Sequence, residues 1–148
     1  MTAQENTALV RRYLDEAFNK RNIAILDEVV AADHAHHSAP PDRSPGIEGV
    51  REFVRAVHAE WPDLRVTIED QVAEGDKVVT RWTVQGTNTQ PVTTPFGSIA
   101  PTGKQISMTG MDIHRVDGGK VVETWSDADY LGLMLQIGAV PTPALATQ

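Results

Sequence analysis

The sequence predicts an α+β fold in which helices pack on one face of a curved antiparallel sheet. Apolar residues recur at helical spacing in three segments before residue 62, whereas alternating segments rich in β-branched and aromatic residues dominate after it. Helices grouped before strands are typical of α+β proteins rather than of alternating α/β folds. A curved sheet covered on one face leaves a cone between its layers, where we expect a small-molecule pocket.

Composition is that of an ordinary globular protein, with 148 residues, 41% of them hydrophobic and 22% charged. We therefore expect a single domain over residues 1–141, followed by a flexible tail at 142–148. The chain has no cysteine, which excludes disulfides and thiolate chemistry. A net charge of -7 disfavours nucleic acid and anionic membranes as partners. The N-terminus lacks the pattern of a signal peptide, so we expect a cytoplasmic protein.

Three amphipathic segments predict the helices of the first half. In the first of them Tyr13 lies on the apolar face, where it is either a core tyrosine or a hydroxyl donor in a pocket. In the third, Trp61 ends the apolar stripe, and Pro62 stops the helix. The predicted helices run from a capping box at Thr2 and Glu5 to residues 19–22, over residues 23–30, and over residues 47–61.

A histidine-rich segment separates the second and third predicted helices. Three of the five histidines fall within residues 33–38. In a strand His34 and His36 would share a face, whereas His37 would point away. Zinc needs further ligands that this spacing does not fix, so we predict no metal site. We instead expect one imidazole of the run, assigned to His36, to face a pocket.

Two strands follow the third helix, over residues 64–72 and 77–89, joined by a turn at Gly75 and Asp76. Arg81 lies in the middle of the second strand. An arginine there is either exposed or turned inward towards a carboxylate. Residues 90–103 then form a loop of about fourteen residues, a length typical of functional lids or of disordered segments.

A hairpin followed by a short helix is predicted over residues 107–135, and it carries the densest group of chemically active side chains. Asp112 and His114 share one face of its first strand because side chains alternate with period two. If that face borders a cavity, the hairpin forms the wall of a site; if it faces water, the hairpin is an ordinary half-exposed sheet. We predict the inward orientation. Trp125 and Asp127 share a face of the second strand in the same way.

Several motifs along the chain resemble the SnoaL-like polyketide cyclases of the nuclear transport factor 2-like superfamily, over roughly residues 5–141. The resemblance implies a cone-shaped fold around a pocket for a small hydrophobic molecule. Known relatives include cyclases, isomerases, dehydratases, epoxide hydrolases and proteins without known activity, so the fold alone does not define the reaction. The motifs are residues 45–53, 61–66, 73–79, 86–89, 101–104, 118–125 and 136–141.

The resemblance also implies roles for individual residues. The helix around Tyr13 is similar to the one that presents the oxyanion tyrosine of ketosteroid isomerases, and the strand around Asp112 is similar to the one that carries their protonated aspartic acid. The general base of those isomerases falls near Ser38, so that activity is disfavoured. Trp125-Ser126-Asp127 is similar to the Trp-x-Asp of limonene-type epoxide hydrolases. Asp127 is therefore the first candidate for the acid/base group and Asp129 the second, although an aspartate here could equally cap the final helix.

These observations predict a cofactor-independent enzyme that performs acid/base chemistry of the intramolecular aldol type on a small hydrophobic carbonyl compound. A related hydrolase, dehydratase or isomerase, a binding protein without chemistry, and an interaction module remain as alternatives. Apolar residues on both faces of a strand, Val78, Val79, Trp82 and Val84, predict a homodimer through the open face of the sheet. The candidate catalytic residues are Asp127, His114, Asp112 and Tyr13, and the candidate substrate-binding residues are His36, Arg81, Trp125, Asp129 and Trp61.

Overall fold

The computed structural model describes residues 1–94 and 97–140 and has an α+β architecture, as predicted. The helices are α1 (Ala3–Leu14), α2 (Ile25–Val29), α3 (Gly46–Glu60) and α4 (Tyr130–Gln136), with a π-helical turn at Asp15–Asn19 after α1. The strands are β1 (Val30–His36), β2 (Arg65–Glu74), β3 (Lys77–Thr87), β4 (Val92–Thr94), β5 (Gly97–Ile99), β6 (Gln105–Asp117) and β7 (Lys120–Ala128). The five-stranded sheet has the order β1-β7-β6-β3-β2, and β4 pairs with β5 separately.

Helix α1 begins where the sequence predicts it. The Thr2 hydroxyl accepts a hydrogen bond from the Glu5 amide at 3.1 Å, and the Glu5 carboxylate accepts one from the Thr2 amide at 2.7 Å. This reciprocal capping box satisfies two amides that would otherwise lack partners at the helix start. None of the helices in the described ranges is long and apolar enough to cross a membrane.

Residues 30–36 differ from the prediction that all three early helices precede the first strand. They form the edge strand β1, which runs parallel to β7 and pairs Ala35 with Glu123 and His36 with Thr124. Val30 therefore starts a strand rather than ending a helix. The predicted loop at 90–103 contains the short strands β4 and β5, with residues 95 and 96 outside the described part. The predicted tail at 142–148 also lies outside it.

Two apolar clusters fill the space between the sheet and the helices. The first joins α1, α2 and α3 to inward residues of the sheet such as Val78 and Val121. The second surrounds Trp61 and Ile106 and includes Leu133 of α4. Residues of both clusters also line one cavity, which therefore lies between them.

An irregularity in the β6–β7 hairpin decides which side chains face this cavity. The turn at Gly118 and Gly119 has φ angles of 58° and 77°, and Val116 pairs with Val121 directly beyond it. The next pair joins Arg115 to Glu123, so Val122 is an extra residue on β7. After such a bulge, each side chain of the strand points to the face of the sheet opposite to the one it would occupy in an uninterrupted register.

Candidate functional site

A cavity of about 1150 Å³ lies between the concave face of the sheet and helices α1, α3 and α4. Most of its lining is apolar, which suits a hydrophobic ligand. Polar side chains gather where β1, β6 and β7 meet, and these are His34, His36, Asp112, His114, Thr124 and Ser126. The site is therefore a hydrophobic pocket with a cluster of titratable groups on its sheet wall. The carboxyl of Glu60 on α3 lines it as well, and burial raises the pKa of that group.

Asp112 and His114 face the cavity, which confirms the predicted orientation of this strand. They are paired with Ser126 and Thr124 of β7, whose side chains line the same wall. His114 is only 2% exposed, and this burial lowers its pKa to about 3. The imidazole is therefore neutral at physiological pH. Its Nδ1 atom is buried without a hydrogen-bond partner among the described residues.

The Asp112 carboxyl lies in surroundings that favour its protonated form. Burial raises its pKa, while the Ser126 and Trp82 side chains and the charge of His36 act in the opposite direction. Asp112 Oδ1 and Trp82 Nε1 are both buried and make no hydrogen bond of normal geometry within the described chain. An unsatisfied carboxyl oxygen is costly in such a place unless a ligand completes its bonding.

Tyr13 is buried and borders the cavity from α1. Its ring meets the His114 ring edge-on, with 5.8 Å between centroids and an interplanar angle of 82°. Burial raises the pKa of the phenol, and the charge of Asp112 raises it further. The hydroxyl therefore stays protonated. Tyr13 belongs to the core cluster and also borders the pocket, and its role as a hydroxyl donor stays a prediction.

The histidine run behaves as the strand parity predicts. His34 and His36 line the cavity, whereas His37 stacks on Trp125 with ring centroids 4.7 Å apart. His36 faces the pocket as predicted, and burial lowers its pKa. Within residues 1–94 and 97–140, no group of three or more histidine, cysteine or carboxylate side chains is arranged to hold a metal.

His34 belongs to the site although the sequence analysis did not select it. Its Nε2 atom lies 2.8 Å from the Thr124 hydroxyl, and burial lowers its pKa to about 4. Its shared parity with His36 was a signal for it. The contact with Thr124 was not foreseeable, because it depends on the parallel pairing of β1 with β7.

The structure contradicts the predicted placement of Asp127 and Trp125 in the pocket. The two residues share a face as predicted, but they lie opposite Met111 and Ile113 on the outer face of the sheet. Asp127 is exposed, and Trp125 is covered by His37. The extra residue Val122 is the reason, because an uninterrupted register would place Trp125 opposite Asp112.

Two of the predicted substrate-binding residues also lie outside the cavity, and one lines it. Arg81 is exposed on the outer face, where it pairs with Met111 and Asp70. Asp129 caps α4, since its carboxylate accepts a hydrogen bond from the Gly132 amide at 2.9 Å. Trp61, by contrast, is buried and lines the cavity.

A curved sheet and helices that enclose a pocket with a buried carboxyl group are the architecture of the nuclear transport factor 2-like fold. The family model described as SnoaL-like polyketide cyclase matches residues 8–137. The chain therefore belongs to the SnoaL-like polyketide cyclase family. Among curated proteins the comparison finds no significant match.

Solved structures give the same result. TsrD from Streptomyces laurentii is 30% identical, with a TM-score of 0.84 and 95% of this chain and 99% of that chain covered. A proposed polyketide cyclase of Acidithiobacillus ferrooxidans is 26% identical, with a TM-score of 0.80 and coverages of 94% and 99%. IdmH of Streptomyces antibioticus, another proposed polyketide cyclase, is 29% identical, with a TM-score of 0.75 and coverages of 90% and 98%. The fold is thus shared over almost the whole chain, and two of these three proteins are described as proposed polyketide cyclases.

Proposed function

We propose that this chain is a cofactor-independent cyclase that uses Asp112 as its acid/base group on a small hydrophobic carbonyl compound. The observation that carries the proposal is the position of this carboxyl inside an apolar cavity, with a raised pKa and an oxygen that lacks a hydrogen-bond partner among the described residues. A carboxyl whose pKa is raised above its ordinary value is a better proton acceptor as the anion and can return the proton afterwards.

The reaction needs two proton transfers and one carbon–carbon bond. Asp112 takes a proton from the carbon next to a carbonyl, and the electron pair of the broken C–H bond forms the enolate. The enolate carbon attacks a second carbonyl of the same molecule and closes a ring. Asp112 then returns its proton to the alkoxide that results, so that the enzyme ends in its initial state.

Tyr13 is the candidate donor to the enolate oxygen. Its raised pKa keeps the hydroxyl proton in place, and it borders the same cavity as Asp112. A donor held ready in a low-dielectric site stabilises developing negative charge without reorganisation. His114 packs against the Tyr13 ring and, because its pKa is about 3, adds no charge of its own.

A second candidate is small-molecule binding without chemistry, favoured by the largely apolar lining of the cavity. The isomerase alternative has less support. Ser38, near which the isomerase base falls, lines the cavity with a hydroxyl and accepts a hydrogen bond from the Ser126 amide at 2.9 Å. A hydroxyl in that bond is not a general base of the carboxylate kind.

The proposal is tested by exchange of α-protons for deuterium in 2-tetralone, a hydrophobic ketone, followed by proton NMR. Asp112→Asn keeps the shape of the side chain and removes the proton acceptor. We expect the exchange rate to fall by about 10²–10⁴-fold, the usual contribution of general acid/base catalysis.

The matched control is Asp127→Asn, which removes an aspartate from the adjacent strand on the opposite face. We expect this variant to exchange at the wild-type rate. Binding of 2-tetralone without any enzyme-dependent exchange would favour the binding protein instead. Loss of exchange in Asp127→Asn but not in Asp112→Asn would refute the assignment of Asp112.

A further inference from the structure

The cavity wall contains one cationic side chain that the proposed reaction does not use. Among the described lining residues Arg43 is the only arginine or lysine. It is half-buried, and its guanidinium makes no hydrogen bond or ion pair with any residue in the described ranges. The other arginines without an ion pair are all exposed, and these are Arg11, Arg21, Arg55, Arg65 and Arg81. An arginine without an ion pair at a cavity wall has N–H donors available to an anionic ligand.

The position of Arg43 is fixed by its surroundings. Its amide donates to the Pro40 carbonyl at 3.1 Å, and the next amide, that of Ser44, donates to the Glu52 carboxylate at 3.2 Å. The guanidinium carbon lies 4.8 Å from the centre of the Phe53 ring. Stacking on an aromatic face holds the planar group and leaves its N–H donors free at the edge.

Helix α3 is shaped to accept this segment. A Cβ atom at Gly49 would collide with the Ser44 carbonyl oxygen and lie 3.1 Å from Cγ of Arg43. Glycine at this position therefore allows the chain before α3 to approach the helix closely. Phe53 follows one turn later and also lines the cavity, so helix and aromatic ring together direct the arginine to the pocket.

The segment that leads to Arg43 is hydrogen-bonded to the strand beside the proposed acid/base group. The Ser38 hydroxyl accepts a hydrogen bond at 2.9 Å from the amide of Ser126, the residue paired with Asp112, and Arg43 lies five residues after Ser38. His36, which also lines the cavity, is within electrostatic reach of both residues: burial lowers its pKa most, the charge of Arg43 lowers it further, and Asp112 raises it. The charge of Arg43 also reaches Tyr130, which lines the cavity too. An anionic group bound at Arg43 would thus lie in the same part of the pocket as a carbonyl that reacts at Asp112.

We propose that Arg43 selects substrates that carry a carboxylate as well as the reacting carbonyl, so that the ligand is a hydrophobic keto acid rather than a neutral ketone. The inference rests on the proposed function for the reacting carbonyl, whereas the anion site stands on the geometry around Arg43. A guanidinium binds a carboxylate through two parallel N–H···O bonds, which neither lysine nor a neutral residue reproduces.

The test measures binding of 2-naphthoate and its neutral isostere 2-naphthamide by isothermal titration calorimetry at pH 7.5. We expect the wild-type protein to bind the carboxylate at least about tenfold more tightly, because a charge-assisted hydrogen bond is worth that factor or more. Arg43→Met is expected to abolish the preference, and Arg43→Lys to keep only part of it. Arg55→Met, which removes an exposed arginine of α3, is the matched control and is expected to keep it.

Three results would overturn the inference: equal affinity of the wild-type protein for both probes, no binding of either, and an equal loss of both in Arg43→Met. The last of these would show that Arg43 only packs against Phe53. The exchange of 2-tetralone tests Asp112 with a neutral ketone. If the exchange experiment fails, the proposed role of Asp112 is wrong but the carboxylate preference of Arg43 is unaffected. If the carboxylate preference is absent, the role of Arg43 is wrong but the exchange catalysed by Asp112 is unaffected.

Discussion

The two faces of the β6–β7 hairpin place similar side chains in opposite environments. On the inner face Asp112 and His114 are shielded from water, and the pKa of each is displaced by burial. On the outer face Asp127 is exposed, and His37, the residue after β1, is paired with Glu123 at 2.8 Å. Residue type alone therefore does not define chemistry here. The face that a strand position occupies decides whether an aspartate is a buried carboxyl in a cavity wall or an exposed surface residue.

The largest effect that we expect from this difference concerns stability in acid. His34 and His114 have pKa values of about 4 and 3 in the folded state, below the ordinary 6.5. Between the folded pKa of each histidine and 6.5, the unfolded chain binds a proton that the folded chain does not, so stability falls as the pH falls. Each of the two histidines is expected to lower the free energy of unfolding by about 2 kcal/mol between pH 7 and pH 5. The raised pKa of Asp112 acts in the opposite direction and offsets part of the loss.

Urea denaturation of the wild-type protein and two variants at pH 7 and pH 5 measures this effect. His114→Gln removes one inner histidine. Whatever the stability of this variant at pH 7, its free energy of unfolding is expected to fall by about 2 kcal/mol less than that of the wild-type protein between pH 7 and pH 5. His37→Gln removes a histidine from the outer side and is expected not to reduce this decrease in the free energy of unfolding. If His114→Gln loses as much free energy of unfolding from pH 7 to pH 5 as the wild-type protein, the inner histidine does not control the pH dependence.

A smaller effect is expected from packing on the inner face. Gly110 lies beneath Trp82, and an added Cβ atom would collide with the indole ring and lie 2.9 Å from the Asp127 carbonyl oxygen. Gly110→Ala must therefore displace Trp82 from the wall that it shares with Asp112. We expect a loss of about 1–3 kcal/mol in the free energy of unfolding, the usual cost of overpacking.

The outer-face control is Thr109→Ala, one residue away on the same strand and exposed. Its free energy of unfolding is expected to change by less than about 0.5 kcal/mol. If Gly110→Ala is equally mild, the indole is free to move, and the inner wall is less closely packed than the structure indicates.

Periodicity was sufficient to predict most of the fold and the inner face of β6. Strand β6 is regular from Met108 to His114, so the parity of Asp112 and His114 was readable from the sequence. The capping box of α1 was readable for the same reason, because both of its residues lie within one turn. Strand β1 was not readable, since its seven residues are stabilised by parallel pairing with a strand about 90 residues away.

The main error in the predicted site has a single origin. Parity showed that Trp125 and Asp127 share a face, but not which face that is. The register of β7 against β6 decides this, and the extra residue Val122 changes the register by one. Val121 and Val122 are both valines, so the sequence gives no local sign of which one is inserted. Arg43 was missed for another reason, because its place in the wall depends on contacts with Gly49 and Phe53 across a loop.

The smallest effect on the folded chain is expected from the outer face, which we propose as the homodimer interface. Of the residues that first indicated a dimer, Val78, Trp82 and Val84 line the inner side, and only Val79 faces outward. The register nevertheless aligns an apolar row across four strands. This row consists of Val72, Val79, Ile113 and Trp125.

The exposure of this row supports a protein partner rather than solvent. Val72 is 64% exposed and Ile113 37%, with Met111 beside them at 54%. A row of this kind, bordered by charged residues, is typical of an interaction surface.

Ile113→Lys places a charge at the centre of this row but not in the core, so the free energy of unfolding of the single chain is expected to change by less than about 0.5 kcal/mol. Light scattering at micromolar concentration is expected to give twice the 16.1 kDa of one chain for the wild-type protein and for the distant outer-face variant Thr67→Lys. Ile113→Lys is expected to give 16.1 kDa. A wild-type protein that is already monomeric would refute the dimer, and a dimeric Ile113→Lys would place its interface elsewhere.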